Sequence, residues 1–349
     1  MTLETLAKSA EPLNTQDVYR IVLVGLGSQG AGIASILCEL GHELVGVVDI
    51  GAKVGKSLGE LITAPRAPDI FVSGSLDALL DSLVEKPDIV VLSLALDLEP
   101  ILDLAASVLD RGINAITLQQ DVLTRDHAWA DRMHERAMRG GASFMASGVQ
   151  DSWWVQMPAM VAASSLDIST VRITSVLSIE QLSKSVGEEV GFPLTPEEFS
   201  RHAQGQKDYP SVLGAPMTEA ARRMGLITGI VTKDVEPVIA DRTFHWEAGN
   251  MPIDQGMTTG LVETVAFETD RGIRFEGIIK VLPIAIEEAF DSLDVIGTPS
   301  HHLVYKPFPG YDITNVALVS RIPDVVRAEP GMLFPAEMPA ASPQFSRER

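Results

Sequence analysis

The feature that most constrains this chain is a glycine-rich turn between an apolar run and a helical pattern. Gly25-Leu26-Gly27-Ser28-Gln29-Gly30 follows the compact apolar stretch YRIVLVG (19–25) and opens GSQGAGIASILCELG (27–41), where Ile33, Ile36, Leu37 and Leu40 recur at helical spacing. A GxGxxG string alone is a weak signal. Between a strand and a helix it has a mechanical reading. The first glycine permits the tight turn, the second lets the backbone approach a pyrophosphate, and the third lets helix pack closely on strand. The N–H groups at the helix start then face the phosphates, where the helix dipole favours negative charge. Asp49 ends the next apolar run, ELVGVVDI (43–50), where a carboxylate accepts hydrogen bonds from the ribose hydroxyls of NAD and repels a 2′-phosphate. Lys53 and Lys56 follow closely and soften that preference, so NAD is favoured over NADP without NADP being ruled out.

The alternation continues. DIVVLSLAL (88–96) and NAITL (114–118), counted as the fourth and fifth strands of a parallel sheet, flank a helical pattern over 100–112. A helix is expected over 124–139 and a short strand over 142–147. Strands alternating with helices imply a doubly wound α/β domain of Rossmann type. Ligands of such sheets lie across the carboxyl ends of the strands. Ser93, Leu94, Ala95, Leu118 and Gln119 are therefore expected along the nicotinamide half of the cofactor. Beyond Gly148 long alternating segments appear, 169–179, 261–270 and 272–283. They fit an α+β domain with a largely antiparallel sheet, one face of which is solvated or an interface. The expected division is a tail over 1–18, a dinucleotide domain over 19–150, a second domain over 151–310, a helix over 311–335, and a tail over 336–349.

At 349 residues the chain is long enough for two cores. A net charge of −20 argues against nucleic acid, which is bound by Lys and Arg neutralising phosphates. No apolar run has membrane-spanning length, and the N-terminus lacks the pattern of a signal peptide. A lone cysteine, Cys38, excludes an internal disulfide. A cytoplasmic protein is the default expectation, and no metal is expected. Two attractive strings are discounted. Glu85-Lys86-Pro87 precedes a strand and reads as a helix-ending loop, and His301-His302 reads as a surface or interface pair.

Several stretches together resemble the 2,4-diaminopentanoate dehydrogenase and native amine dehydrogenase family, whose N-terminal half is related to dihydrodipicolinate reductase. They are GLGSQGAG (25–32), VVDIGAKVGKSLGEL (47–61), RGINAITLQQDV (111–122), SGVQD (147–151), RRMGLITGIVTKDVEPVIA (222–240) and ITNVALVSRIPDVVRAEPGML (313–333). The resemblance implies a homodimer and the reversible oxidative deamination of an amine to a ketone or aldehyde, with NAD(P) accepting hydride. It also implies that the second domain, 151–310, serves substrate binding and dimerisation and that the last helix, 311–335, packs back on the nucleotide domain. Where this chain has Gln120-Asp121 the family usually has two glutamates, one of which holds ammonia and helps remove its protons. Here an amide and a shorter acid stand instead.

Asp121 is nevertheless a plausible base just past a strand end, where desolvation raises a carboxyl pKa. Gln120 would orient the ammonia. A helix cap before 124–139 is the competing reading of Asp121, with Thr124 as a rival cap, and Glu99 is a reserve acid that also reads as a first-turn helix residue. Val149, Gln150, Asp151, Trp153, Trp154 and Met157, joined by Met160, are expected to wall a substrate pocket. Core packing is the alternative for the aromatic part. Lys184 is a weaker candidate for a substrate carboxylate. The expected partners are a small amine or carbonyl compound and ammonia. A dehydrogenase of a hydroxy or amino acid and a non-catalytic NAD(H)-binding regulator remain as rival readings.

Overall fold

The computed structural model describes residues 17–345 except 65, 126–127, 183 and 206–210. The segments expected over 1–16 and 346–349 lie outside the described residues. The first domain is built on a six-stranded parallel sheet of β1 (Arg20–Val24), β2 (Glu43–Val48), β3 (Ile89–Leu92), β4 (Asn114–Thr117), β5 (Ser143–Ala146) and β14 (Gly331–Leu333), in the order β14-β5-β4-β3-β1-β2. β1, β3 and β5 are buried along almost their whole length, as strands covered on both faces must be. The helices of this domain are α1 (Ser28–Leu40), α2 (Leu76–Ser82), α3 (Leu98–Asp110) and α4 (Ala128–Gly140). α3 buries Ile101, Leu102, Ala105 and Leu109 at helical spacing against one side of the sheet. α1 buries Ile33, Ala34 and Leu37 on the other side.

The strands counted as fourth and fifth are the third and fourth in the chain. Between β2 and β3 the edge position is filled only by a parallel bridge from Val48 to Ser73. The sixth position goes to β14, which comes from the far end of the sequence and pairs with β5.

The second sheet has six strands in the order β13-β12-β6-β11-β10-β7. They are β6 (Leu166–Ser178), β7 (Thr232–Ile239), β10 (Thr258–Glu268), β11 (Arg274–Leu282), β12 (Phe290–Thr298) and β13 (His301–Tyr305), with a separate hairpin of β8 (Phe244–Trp246) and β9 (Met251–Ile253). β6 and β11 run parallel and the other pairings are antiparallel. Short helices α5 (Met157–Ala162), α6 (Lys184–Glu189), α7 (Pro196–Gly205) and α8 (Gly214–Arg223) accompany it. α8 buries Met217, Ala220 and Ala221 in the core that holds Phe267 and Phe275. The architecture is thus the expected Rossmann-type domain with a second, mostly antiparallel sheet.

Two connections tie the halves together. Gly148 leads from β5 into a π-helix, Gln150–Gln156, which continues as α5. The last helix, α9 (Gly310–Arg327), lies along α1, where Asn315 Nδ2 would stand 2.5 Å from a Cβ at Gly32. Residues 336–345 read as a tail in the sequence. Instead, Met338 O accepts from Arg223 at 2.6 Å, Pro339 O from Arg321 at 2.6 Å, and Gln344 bonds both His42 and Val319 O. Their backbone carbonyls answer the guanidinium groups of Arg321, fully buried, and Arg223, part-buried, a demand that a scan for apolar periodicity does not register.

Candidate functional site

The glycine turn has the local geometry expected for a tight turn at Gly25 and for close packing at Gly30. Gly25 has φ +91°, and a Cβ there would stand 2.2 Å from Ser93 O. A Cβ at Gly30 would stand 1.9 Å from Gly25 O, so helix and turn touch backbone to backbone. Gly27 is different. It caps α1 with no side-chain hydrogen bond, and nothing lies within 4 Å of where its Cβ would be. That open space at a helix N-terminus is where a pyrophosphate fits. Ser28 and Gln29 form the first turn of the same helix.

Asp49 is drawn into the turn. Its Oδ2 accepts from Leu26 N at 2.7 Å and its Oδ1 from Ile50 N at 2.6 Å. Lys53 Nζ lies 3.2 Å from the same Oδ2 and donates to Leu26 O at 2.7 Å. Partial burial pushes the carboxyl upward, but the two N–H donors and the ammonium outweigh it and hold Asp49 below the usual carboxylate range. Asp49 and Lys53 therefore stand together against the glycine turn at the end of β2. Lys56 makes no side-chain contact with Asp49.

Past the strand ends, Ser93 Oγ is buried with no hydrogen-bond partner, and it lies 3.4 Å from where a Cβ at Gly30 would be. An orphaned hydroxyl beside an open phosphate cradle fits a dinucleotide. Leu94 packs over Gly25, while Ala95 is exposed. Gln119 joins two loops, accepting from Asp121 N through Oε1 and donating to Leu96 O at 2.8 Å. Leu118 O accepts from Gln150 Nε2 at 3.5 Å, bringing the start of the π-helix to the end of β4.

Gln120 and Asp121 begin a single 3-10 turn, Gln120–Leu123. The Asp121 carboxylate takes no hydrogen bond among the described residues, and burial raises its pKa. It does not cap α4, which starts at Ala128. Thr124 is no substitute, since its Oγ1 is buried without a partner. Further along the chain, Leu123, Thr124 and Arg125 line a cavity of about 460 Å³ together with Glu219, Arg222 and Lys233 from the second domain; Asp121 itself is not part of its wall. Arg125 crosses it to Glu219, at 2.7 and 3.0 Å, and stacks on Phe334. Glu99 is exposed in the first turn of α3, the bland reading of that residue.

The expected pocket wall divides. Asp151 is engaged by Arg321 through two contacts and by Ser147 and Gln156, so its carboxylate faces the protein. Val149 and Trp154 lie in the core of the second domain, with Trp153 and Met157 packed partly buried against them, and Met160 is exposed. Lys184 lies 3.9 Å from Glu188. Of the two histidines, His301 bonds Ser164 and His302 bonds Asp294, both at the surface. Sequence reasoning missed Asp291, which is fully buried on β12 and accepts from Trp154 Nε1 at 2.9 Å. Burial pushes its carboxyl up to about 7, against the donors that oppose it. In the alternating segment around it, Asp291 looks like one more polar residue.

No family model matches the chain. It is 23% identical to 2,4-diaminopentanoate dehydrogenase of Acetoanaerobium sticklandii over 92% of this chain and 93% of that protein. Among solved structures, an amine dehydrogenase from Mycobacterium smegmatis superposes with a TM-score of 0.85 at 25% identity, covering 95% of this chain and 99% of that one. This chain resembles amine dehydrogenases over nearly its whole length. The likeness read from GLGSQGAG and the five other stretches is thereby confirmed. GenD2 from gentamicin A biosynthesis, solved in complex with NAD, shares the fold at a TM-score of 0.51 and 17% identity over 85% of this chain and 75% of its own. No helix among the described residues is long and apolar enough to cross a membrane.

Proposed function

We propose that the protein is an NAD(P)-dependent amine dehydrogenase that interconverts an amine with a ketone or aldehyde plus ammonia. The observation that carries this reading is the likeness to the Mycobacterium smegmatis amine dehydrogenase across both domains, TM-score 0.85 over 95% of the chain. Gly25, Gly27, Gly30, Asp49 and Ser93 hold the dinucleotide, which when bound supplies or accepts the hydride. NAD is the favoured form, because Asp49 is ionised at the ribose position.

Asp121 is the proton acceptor at the substrate nitrogen. An unbonded carboxylate of raised pKa beyond β4 suits a group that takes protons from ammonia or an amine. It also stabilises the positive charge that develops as the C–N bond gains double-bond character. Gln120 orients the nitrogen, and Trp153 and Met157 keep water from the imine. The protein acts as a cytoplasmic homodimer. Its second sheet offers a face on which Arg172, Glu276, Asp294 and His302 lie in register.

The test is NAD(P)+ reduction with a panel of small amines, amino acids and alcohols, repeated with Asp121→Ala. Amine turnover reduced at least about 100-fold in the variant is expected. Amine turnover that survives would remove Asp121 from its role. Turnover of alcohols alone would point to a hydroxy-acid dehydrogenase, and tight NADH binding without any turnover to a regulator.

A further inference from the structure

The cavity beside Arg125 lies between the two domains. The loop after β4 brings Thr124 and Arg125 to it, and α8, β7 and β10 supply most of the remaining wall. Its volume of about 460 Å³ is that of a small-molecule site. Its charge is unlike that of the chain. Arg125, Arg222 and Lys233 line it with a single carboxylate, Glu219, so the wall is net positive in a protein of net charge −20. Glu219 is fully buried and already engaged. It holds Arg125 through both oxygens, at 2.7 and 3.0 Å, and accepts from Ala336 N at 3.3 Å. Arg222 Nε stays 3.9 Å from it, beyond hydrogen-bond length. Two further carboxylates approach without lining the cavity. Glu337 pairs with Arg125 Nη1 at the surface, and Glu263 accepts from Ser211 Oγ. Cations gathered in a walled cleft focus the field there, against the repulsion an anion meets elsewhere on the molecule.

A second observation points to a ligand oxygen. Thr124 Oγ1 is buried in this same wall with no hydrogen-bond partner. The other nearby threonine hydroxyl is committed, since Thr218 Oγ1 donates to Gly214 O at 2.9 Å. An unmatched hydroxyl beside cations is a donor suited to an oxyanion. We infer that the cavity binds a small, doubly charged oxyanion, a dicarboxylate or a phosphate, held by Arg222, Lys233 and Thr124. Asp121 is not part of the wall, so this ligand acts as an effector and not at the reacting nitrogen. Thr124 N donates to Asp121 O at 3.0 Å. An anion held at Thr124 Oγ1 therefore braces the turn that carries Asp121 and ties it to α8 and β7 of the second domain.

The experiment is titration calorimetry, backed by thermal melts, at constant ionic strength. Succinate and inorganic phosphate are the probes, and butyrate and succinamide the controls. Wild-type protein is expected to bind a dianion with a Kd of about 1 mM or below. Each control should bind at least about 10-fold more weakly. Arg222→Met and Lys233→Met, both at partly exposed positions, should each weaken dianion binding at least about 10-fold. Thr124→Val keeps the shape, removes the hydroxyl and should weaken it about 3- to 10-fold. Preference for succinate identifies a dicarboxylate and preference for phosphate a phosphate ligand, and either sustains the site. Absence of binding at about 20 mM of both anions overturns it. So does butyrate binding as well as succinate, or binding that none of the three variants weakens. Hydrogen exchange over 118–125 should slow in the anion complex, and unchanged exchange at saturation overturns the brace. None of these readouts involves amine turnover, so loss of the proposed activity and loss of this site are separate results.

Discussion

Asp151 and Arg321 meet in a bidentate ion pair closed off from solvent. Nε reaches Oδ2 at 2.6 Å and Nη2 reaches Oδ1 at 3.0 Å, with the side chains 2% and 0% exposed. The pair fastens the π-helix to α9, and Arg321 also reaches Pro339 O. Breaking one side of such a pair leaves an uncompensated buried charge. Arg321→Met should therefore destabilise the fold by about 3–5 kcal/mol. The double variant Asp151→Leu/Arg321→Met should recover a large part of that loss, measured by urea unfolding at pH 7. A single variant within about 1 kcal/mol of wild type would contradict this account of the pair.

The glycine turn separates folding from binding. Gly25→Ala forces a Cβ at φ +91° to within 2.2 Å of Ser93 O and should lower the melting temperature sharply. Gly27→Ala meets nothing within 4 Å and has an ordinary extended backbone, φ −68° and ψ −167°. Its melting temperature should stay within about 2 °C of wild type while the Kd for NADH rises at least about 10-fold, because the methyl enters the phosphate space. Unchanged NADH affinity would place the pyrophosphate elsewhere.

Lys53 shares Asp49 Oδ2 at 3.2 Å and so partly neutralises the carboxylate that, on the proposed reading, would repel a 2′-phosphate. Lys53→Ala should weaken NADP binding at least about 3-fold more than NAD binding, as isothermal titration would show. Parallel weakening of both would mean that Lys53 acts only as a strut to Leu26 O.

Asp291 carries a stability signature with a definite sign. Its pKa is raised from 3.8 to about 7, so the folded state holds a proton that the unfolded chain has lost between those values. The stability this proton confers is complete below about pH 4 and is lost as pH rises towards 7. Over that window wild-type stability should fall by on the order of 2–4 kcal/mol more than that of Asp291→Asn, compared by thermal melts from pH 4.5 to 8. Parallel curves for the two proteins would show that the Asp291 carboxyl titrates normally.

Much of the cofactor half was legible from local chemistry. A strand, three spaced glycines, a helix and an acid at the end of the next strand lie within about thirty residues, and each acts on its sequence neighbours. Even there the strand count misled. The third edge position is held by a single bridge at Ser73, too short to show an apolar run. Asp151 illustrates a different failure. Its place after Gly148 was readable, but its partner stands on α9, and only folding turns the carboxylate inward.

What the sequence determined by itself is the strand-turn-helix geometry around Gly25, Gly27, Gly30 and Asp49, because backbone conformation and nearest-neighbour contacts set it. Tertiary structure alone decided that Asp121 is left partly buried and unbonded, that residues 336–345 are held, and that Asp291 is buried near Trp153 and Tyr305. Burial and pairing are properties of surfaces brought together from distant parts of the chain. Trp154 on the π-helix and Asp291 on β12, hydrogen-bonded though far apart in sequence, acquire their chemistry only when those surfaces close.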